Sequence, residues 1–241
     1  MTDTILVPFE LPDHKALSPV LVNDLASLDV VVLGHFAVPE QTPVEAAREQ
    51  FEAEAQTTLD EIADQFRDVG ATARTRLVFG KQRAATIDRV MIEEDCAWEL
   101  NPAPTDGIDR ILVPIPAADN FDRRPRFVDI LCEDSTREIT LFHVAEGEES
   151  RDHAEEIVTE TREEMLEAGF DADAVDTLVV EGDSHDSEIL TVAADYDAVV
   201  MYEAQSELSD HIFGSLPDRI GDETGDPVIV VRRDYDPSAT D

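Results

Sequence analysis

The chain has 241 residues, of which 56 are Asp or Glu and only 18 are Lys or Arg, so its formal net charge is −38. This balance excludes direct nucleic-acid binding, because neutralising phosphates requires a basic stripe that the sequence does not offer. There is no run of about 18 apolar residues and no basic, apolar leader, so we expect a cytoplasmic protein without membrane insertion.

The acidity has two interpretations. A basic partner is one of them. The other, which we favour, is the solvated surface of a protein from a salt-loving organism, in which concentrated salt screens the repulsion between carboxylates. The acidic residues are spread along the whole chain and form no unbroken block of five or six, which would be typical of an interaction tail.

The first hundred residues alternate short apolar runs with amphipathic stretches. Runs of this kind are typical of strands buried on both faces of a parallel sheet. Gly70 is a natural end for the long second helix. The pattern predicts strands at 4–9, 30–36, 73–79 and 96–100 and helices at 16–28, 43–69 and 84–94. Such alternation indicates an α/β fold with a doubly wound parallel sheet.

Residues 101–107 read Asn-Pro-Ala-Pro-Thr-Asp-Gly, which is typical of a turn and linker, and the strand pattern restarts at Ile111. We therefore predict two domains, at 1–105 and 106–241. The second should contain strands at 110–115, 138–144, 176–180, 198–201 and 227–232 and helices at 124–132, 151–167, 187–194 and 209–223. Its last helix and strand have no counterpart in the first domain, which has no sequence left for them.

Two stretches of the chain repeat one another. Residues 80–100 and 182–202 align without a gap at an offset of 102, and each passes from a glycine through a helix to an aspartate, Asp95 or Asp197. The run Ile-Leu-Val-Pro also occurs twice, beginning at Ile5 and at Ile111. The sequence therefore predicts one folding unit used twice, with the first copy truncated.

The segment after the fourth predicted strand of the second unit carries the most specific motif. Met201 and Ala204 are followed by nine residues and then by Gly214 and Ser215. With this segment and the repeat, the chain resembles the universal stress protein family in its tandem form. The resemblance implies two Rossmann-like modules. In nucleotide-binding members it also implies a loop of Gly, two residues, Gly, nine residues, and then Gly with Ser or Thr.

The chain departs from this loop at its first two glycines, where Met201 and Ala204 stand. Glycine lets backbone amides approach phosphate oxygens at a helix start, and a methionine side chain would obstruct that approach. Family members that bind ATP also carry Val-Pro-x-Asp after the first strand. The second unit has Pro116 in place of that acid, and the first unit has Glu10 but no phosphate loop.

We therefore predict a degenerate nucleotide site, no cofactor and no enzymatic activity. The alternative is an ATP-binding stress-response switch that uses the remnant loop and Pro116. A structural interpretation of Gly214 and Ser215, in which the glycine packs a helix closely onto the sheet, stays open beside both.

Two histidines are further candidate site residues. His35 and His143 each lie near the end of a second strand, at the edge of an open parallel sheet where ligands tend to bind. They either line a site or are polar strand-end residues with satisfied hydrogen bonds. Ser184-His185-Asp186 resembles a catalytic triad only superficially, because adjacent residues cannot form a linear relay. Capping of a helix that begins near Ser187 is the favoured role.

The resemblance implies a protein that acts by binding and association. In this family the closing strand commonly pairs two modules edge to edge, and the apolar strand at 227–232 would suit such pairing. We therefore expect a homodimer through the last strand of the second module. A protein partner such as the cytosolic part of a membrane transporter is a further possibility that the resemblance suggests.

Overall fold

The computed structural model describes residues 4–14, 16–105, 107–115, 128, 137–146, 151–203 and 215–232. The chain divides into two compact units, Met1–Pro104 and Thr105–Asp241. Within each unit, parallel strands form the sheet and helices connect them.

The first unit has four strands among its described residues. They are β1 (Thr4–Leu11), β2 (Asp29–Ala37), β3 (Thr72–Gly80) and β4 (Trp98–Asn101), and the helices are α1 (Pro19–Asp24), α2 (Val44–Asp68) and α3 (Arg83–Glu93). The strand order is β3-β2-β1-β4, with parallel pairing throughout. The chain moves outward from β1 to β3 and then returns to the other side of β1, which is the doubly wound arrangement expected from the sequence.

The second unit has five strands among its described residues. They are β5 (Arg110–Pro114), β6 (Glu138–Glu146), β7 (Val175–Gly182), β8 (Ala198–Tyr202) and β9 (Val228–Val231), and the helices are α4 (Arg151–Glu167), α5 (His185–Ala193) and α6 (Leu216–Thr224). The strand order is β9-β8-β5-β6-β7. The helix predicted at 124–132 lies outside the described residues except for Val128. The helix predicted at 209–223 is described only from Ser215 onward, and the prediction is wrong at that residue, because Ser215 is extended as the N-cap and the helix begins at Leu216.

Helix α2 shows how the sequence pattern determines the packing. Its buried residues Leu59, Ile62, Ala63 and Phe66 recur every three or four positions and form one apolar stripe against the sheet. The chain leaves the helix at Gly70, whose φ of 100° is in the left-handed region that favours glycine. The prediction of this helix and of its end is confirmed.

Helix α1 is much shorter than predicted. It covers Pro19–Asp24 instead of 16–28, because Ser18 stays extended as the N-cap and proline occupies the first helical position. At the other end, Leu25 closes the helix and a turn leads directly to the next strand. The apolar residues around α1 are buried in this turn, so the apolar pattern alone overestimated the helix.

The constant offset of 102 residues holds through the third strand and the following helix of each unit, but not into the next strand. Ile5 pairs with Trp98, whereas Ile111 pairs with Ala198, so these strands correspond at an offset of 100. The reason is that α3 has 11 residues and α5 has 9.

The two aspartates of the repeat therefore have different positions. Asp95 lies in the turn after α3 with a φ of 53°. Asp197 directly precedes β8, and its carboxylate accepts a hydrogen bond from the backbone N–H of Arg110 at 2.8 Å. Asp197 thus holds the start of β8 to the start of β5, a role for which Asp95 is placed too early in the chain.

Candidate functional site

The carboxyl edge of the second unit's sheet is where the sequence places the candidate site. In open parallel sheets, ligands bind beyond the carboxyl ends of the strands. The ends of β5, β6 and β8 and the beginnings of α5 and α6 meet this edge. Of the predicted site residues, Met201 and Ser215 are described, whereas Ala204, Gly214 and Pro116 lie outside the described residues.

Met201 is a core residue. Its side chain is 6% exposed and belongs to the cluster that packs β5, β8 and β9 against α5 and α6, where Ile220 and Val230 are among its members. On the adjacent strand, Met201 is in register with Val230. The thioether therefore fills space in the interior directly before the segment that would form a phosphate loop.

Ser215 is the N-cap of α6. Its hydroxyl accepts a hydrogen bond from the backbone N–H of Asp218 at 3.4 Å and donates one to the Asp218 carboxylate at 2.7 Å. The serine hydroxyl thus caps the helix start, and the Asp218 carboxylate holds that hydroxyl in place. The partial positive charge of the helix start is thus already next to a carboxylate, which would repel a phosphate.

An ion pair connects α6 to α5. Arg219 lies 2.8 Å from the carboxylate of Asp186, which is in the first turn of α5. The pair is partly exposed, so its contribution to stability is modest. It fixes the two helix starts beside each other at the candidate edge.

The three residues Ser184, His185 and Asp186 do not act as a triad. Asp186 pairs with Arg219, the His185 ring faces the carboxylate of Glu146, and no hydroxyl or thiol of the described residues is bonded to that ring. Ser184 is the N-cap residue, but its side chain makes no capping hydrogen bond. The helix begins at His185, two residues before the predicted start near Ser187.

His35 and His143 are not equivalent in the two sheets. His35 is in register with Val78, whereas His143 is in register with Val179, one residue before Val180, which corresponds to Val78 in the repeat. A shift of one residue turns a side chain to the opposite face of a strand. The two histidines therefore cannot form matching sites.

Their surroundings differ as well. The buried His143 donates from Nδ1 to the carbonyl of Ile115 at 2.6 Å, as expected for a satisfied strand-end residue. His35 is 2% exposed, and neither ring nitrogen has a hydrogen-bond partner among the described residues. Burial lowers the pKa of His35, the charge of Arg83 lowers it further, and Glu10 partly opposes both effects.

A membrane-spanning helix and a metal-binding cluster are both absent from the described parts of the chain. No helix there combines the length and the apolar composition needed to cross a membrane. No group of three or more His, Cys, Asp or Glu side chains there is arranged to hold a metal ion.

Comparison with solved structures identifies the fold. A universal stress protein from Archaeoglobus fulgidus DSM 4304 superposes with a TM-score of 0.67 at 14% identity, over 95% of this chain and 96% of that one. The chain has the fold of universal stress proteins. A putative universal stress protein from Pseudomonas aeruginosa UCBPP-PA14 gives a TM-score of 0.56 at 15% identity, covering 96% of this chain and 93% of that one.

The universal stress fold is also shared by a transporter domain. The cytoplasmic domain of a prokaryotic cation chloride cotransporter superposes with a TM-score of 0.51 at 10% identity, over 95% of both chains. No family model matches the sequence, and no curated protein matches it.

Within this universal stress fold, sequence reasoning missed the polar contacts that surround Ser215. The Ser215 cap could have been recognised in the sequence, since a serine three residues before an acid is typical of a helix start. The ion pair between Asp186 and Arg219 has no such signal, because 33 residues separate its partners.

The two histidines should respond differently to substitution. We expect His143→Leu to lower the free energy of unfolding by about 1–3 kcal/mol, because it leaves the buried Ile115 carbonyl without a donor. His35→Leu removes no hydrogen bond between described residues, and its cost should stay below about 1.5 kcal/mol. Urea unfolding in molar KCl measures both values, and equal costs would contradict this account.

The lowered pKa of His35 gives a pH dependence with a definite sign. Below its ordinary value of 6.5, the unfolded chain takes up a proton that the folded state resists, so the wild type loses stability as the pH falls. Between about pH 7 and pH 5, His35→Leu should lose less stability than the wild type. Parallel pH profiles of the two proteins would show that His35 does not contribute.

Proposed function

We propose that the protein is a universal-stress-type regulatory module that acts by binding and association, without turnover and with a degenerate nucleotide site. The observation that carries the proposal is the burial of Met201. At the place of the first loop glycine, a 6% exposed side chain packs into the core beside Ile220 and Val230. A bulky side chain at this position does not allow the close approach of backbone amides to a phosphate that glycine would allow.

Charges near the same edge support the proposal. Glu203 directly follows β8 and is 3.6 Å from Arg232, and the Asp218 carboxylate is at the start of α6. Arg232 offsets the charge of Glu203, but a triphosphate at the start of α6 would meet the Asp218 carboxylate, and like charges repel most strongly where water is excluded. Loss of nucleotide affinity is the expected consequence.

The proposal includes the tandem arrangement of two modules, a stress-response role in the cytoplasm of a halophile, and a homodimer through the last strand of the second module. A membrane transporter is the proposed class of protein partner. The similarity to the cytoplasmic domain of a cation chloride cotransporter supports that class, because the same fold serves a transporter there.

The alternative is an ATP-binding switch. Its support is the position of Ser215 at the N-terminus of α6, where an anion would be favoured, together with the preserved spacing of the loop. In this case the hydroxyl of Ser215 would give up its hydrogen bond to the Asp218 carboxylate and donate one to a phosphate oxygen instead.

Titration calorimetry with Mg-ATP in molar KCl tests the proposal. We expect no binding stronger than about 1 mM and, in light scattering of the same sample, twice the mass of one chain. A dissociation constant below this limit that Ser215→Ala weakens at least about tenfold would establish the alternative. A monomer without ATP affinity would instead disprove the association part.

A further inference from the structure

A cavity of about 350 Å³ lies at the amino end of the second unit's sheet, between strands β5–β7 and the end of α5. Its volume is within the usual range for small-molecule sites. Leu178, Val192 and Tyr196 form its apolar wall, and Glu138 and Asp195 contribute carboxylates. The cavity is at the opposite end of the strands from the remnant of the nucleotide loop.

The corresponding place in the first unit is filled by ion pairs. Arg76 of β3 and Arg89 of α3 both pair with the carboxylate of Glu93, and the distance from Arg89 is 3.2 Å. Arg76 also lies 3.2 Å from the carboxylate of Glu94. Two guanidinium groups thus occupy the space between the end of the helix and the sheet.

The second unit lacks both guanidinium groups. Leu178 has the same position before the last glycine of β7 as Arg76 has in β3. Thr191 is as far from the start of α5 as Arg89 is from the start of α3. The same count leads from Glu93, the last residue of α3, to Asp195 in the turn after α5. A carboxylate thus follows at this count in both units, whereas a leucine and a threonine replace the two arginines.

One arginine lines this cavity and packs on its wall. Arg110 has its guanidinium over the Tyr196 ring, 5.9 Å from the centroid, and is 4.0 Å from Asp197. Within the described parts of the chain, no cation pairs with the carboxylate of Asp195 or of Glu138. The cavity therefore combines an apolar wall with two exposed carboxylates, neither of which forms an ion pair with a described residue, although Arg110 is in register with Glu138 on the adjacent strand.

We propose that this cavity binds a small organic cation with a guanidinium head and a short aliphatic body. The head would pair with Asp195 as Arg76 and Arg89 pair with Glu93, since a planar guanidinium matches a carboxylate in a bidentate way. The aliphatic body would lie against Leu178 and Val192 and remove apolar surface from water. The ligand supplies the group that the second unit has lost.

The probe is n-butylguanidinium, and n-butylurea is its uncharged analogue of nearly the same shape. Both are titrated into the full chain in molar KCl, and the methyl resonances of Leu178 and Val192 are followed by NMR. We expect n-butylguanidinium to shift these resonances with saturation and n-butylurea to bind at least about tenfold more weakly. Equal affinity of the two compounds would overturn the proposal.

Three variants locate the binding. Asp195→Asn removes the carboxylate at constant volume, and Leu178→Arg introduces a tethered guanidinium of the kind found in the first unit. Each should weaken n-butylguanidinium binding at least about tenfold. The matched control is Glu163→Gln, which removes one carboxylate from the exposed face of α4 and should leave the affinity unchanged.

If Leu178→Arg does not fold, Asp195→Asn alone tests whether n-butylguanidinium binds in this cavity. Unchanged binding in Asp195→Asn, or equal weakening in Glu163→Gln, would show that the general negative charge attracts the cation. The last probe in the titration is N-acetylarginine amide, which mimics an arginine side chain of a protein partner. A preference for it of about tenfold or more over n-butylguanidinium would overturn the assignment to a small molecule.

Discussion

Met201→Gly is expected to lower the free energy of unfolding by about 3–5 kcal/mol without producing ATP binding. The substitution removes a side chain that is 6% exposed, and the cavity it leaves is bordered by strands and helices that can relax only in part. Glycine inside β8 adds an entropic cost of its own. Urea unfolding in molar KCl measures the loss, and calorimetry with Mg-ATP measures the affinity.

Met201→Leu is the matched control, because it keeps an apolar side chain of similar volume and should cost less than about 1.5 kcal/mol. The double variant Met201→Gly/Ala204→Gly restores both glycine positions of the loop. If it folds and binds ATP more tightly than about 1 mM, the two side chains alone block an otherwise intact nucleotide site. The proposal of a binding module without nucleotide would then be wrong.

Most of the fold was predictable because its signals are local. The stripe of Leu59, Ile62 and Phe66 gives the period of α2 within a few turns, and the apolar runs of the strands have lengths typical of buried parallel strands. Alternation of these elements indicates the doubly wound topology, since a crossover between parallel strands requires a helix. Such reasoning fails at α1, where proline and a cap shorten the helix.

Strand register was not predictable from matching residue types. His35 and His143 looked equivalent because both are histidines near a strand end. In the first unit, the position that corresponds to His143 is Gly34, where a Cβ atom would lie 2.8 Å from Leu11 Cδ1 and 3.1 Å from Leu59 Cδ1. Close packing of α2 therefore excludes a side chain there, and this constraint involves residues far apart in the sequence.

In the candidate site as well, local features were predictable from the sequence and contacts between distant residues were not. The sequence identified Met201 as the important departure and Gly214 with Ser215 as the final pair of the loop, because spacing along the chain determines both. It placed Ser215 inside a predicted helix, whereas Ser215 is the N-cap of α6. It did not indicate that Met201 packs with Ile220 and Val230 or that Arg219 reaches Asp186. These contacts depend on how α5 and α6 lie together, which local patterns do not determine.

Lowering the salt concentration should destabilise the protein strongly. With a net charge of −38, most carboxylates have no basic partner, and we expect the free energy of unfolding to fall by several kcal/mol between about 1 M and 0.1 M KCl. The Debye length grows from about 3 Å to about 10 Å over this range, so neighbouring carboxylates begin to repel one another. A loss of this size is comparable with the total stability of a domain, about 5–15 kcal/mol.

The exposed face of α2 allows this explanation to be tested locally. Glu45, Glu49 and Glu52 are exposed and lie three or four residues apart, where side chains on a helix are neighbours. The triple variant with Gln at these positions should gain about 0.2–0.5 kcal/mol per relieved pair in low salt and nothing in molar KCl. Its unfolding free energy should therefore depend less steeply on salt than that of the wild type.

Sucrose separates charge screening from a general preference for compact states. It favours burial of surface because it is excluded from the protein, but it does not screen charge. We expect sucrose in low salt to raise the stability of the wild type and of the triple variant equally, and to leave the difference between them unchanged. If sucrose removed that difference as KCl does, or if stability did not change with salt, repulsion between carboxylates would not be the force that opposes folding.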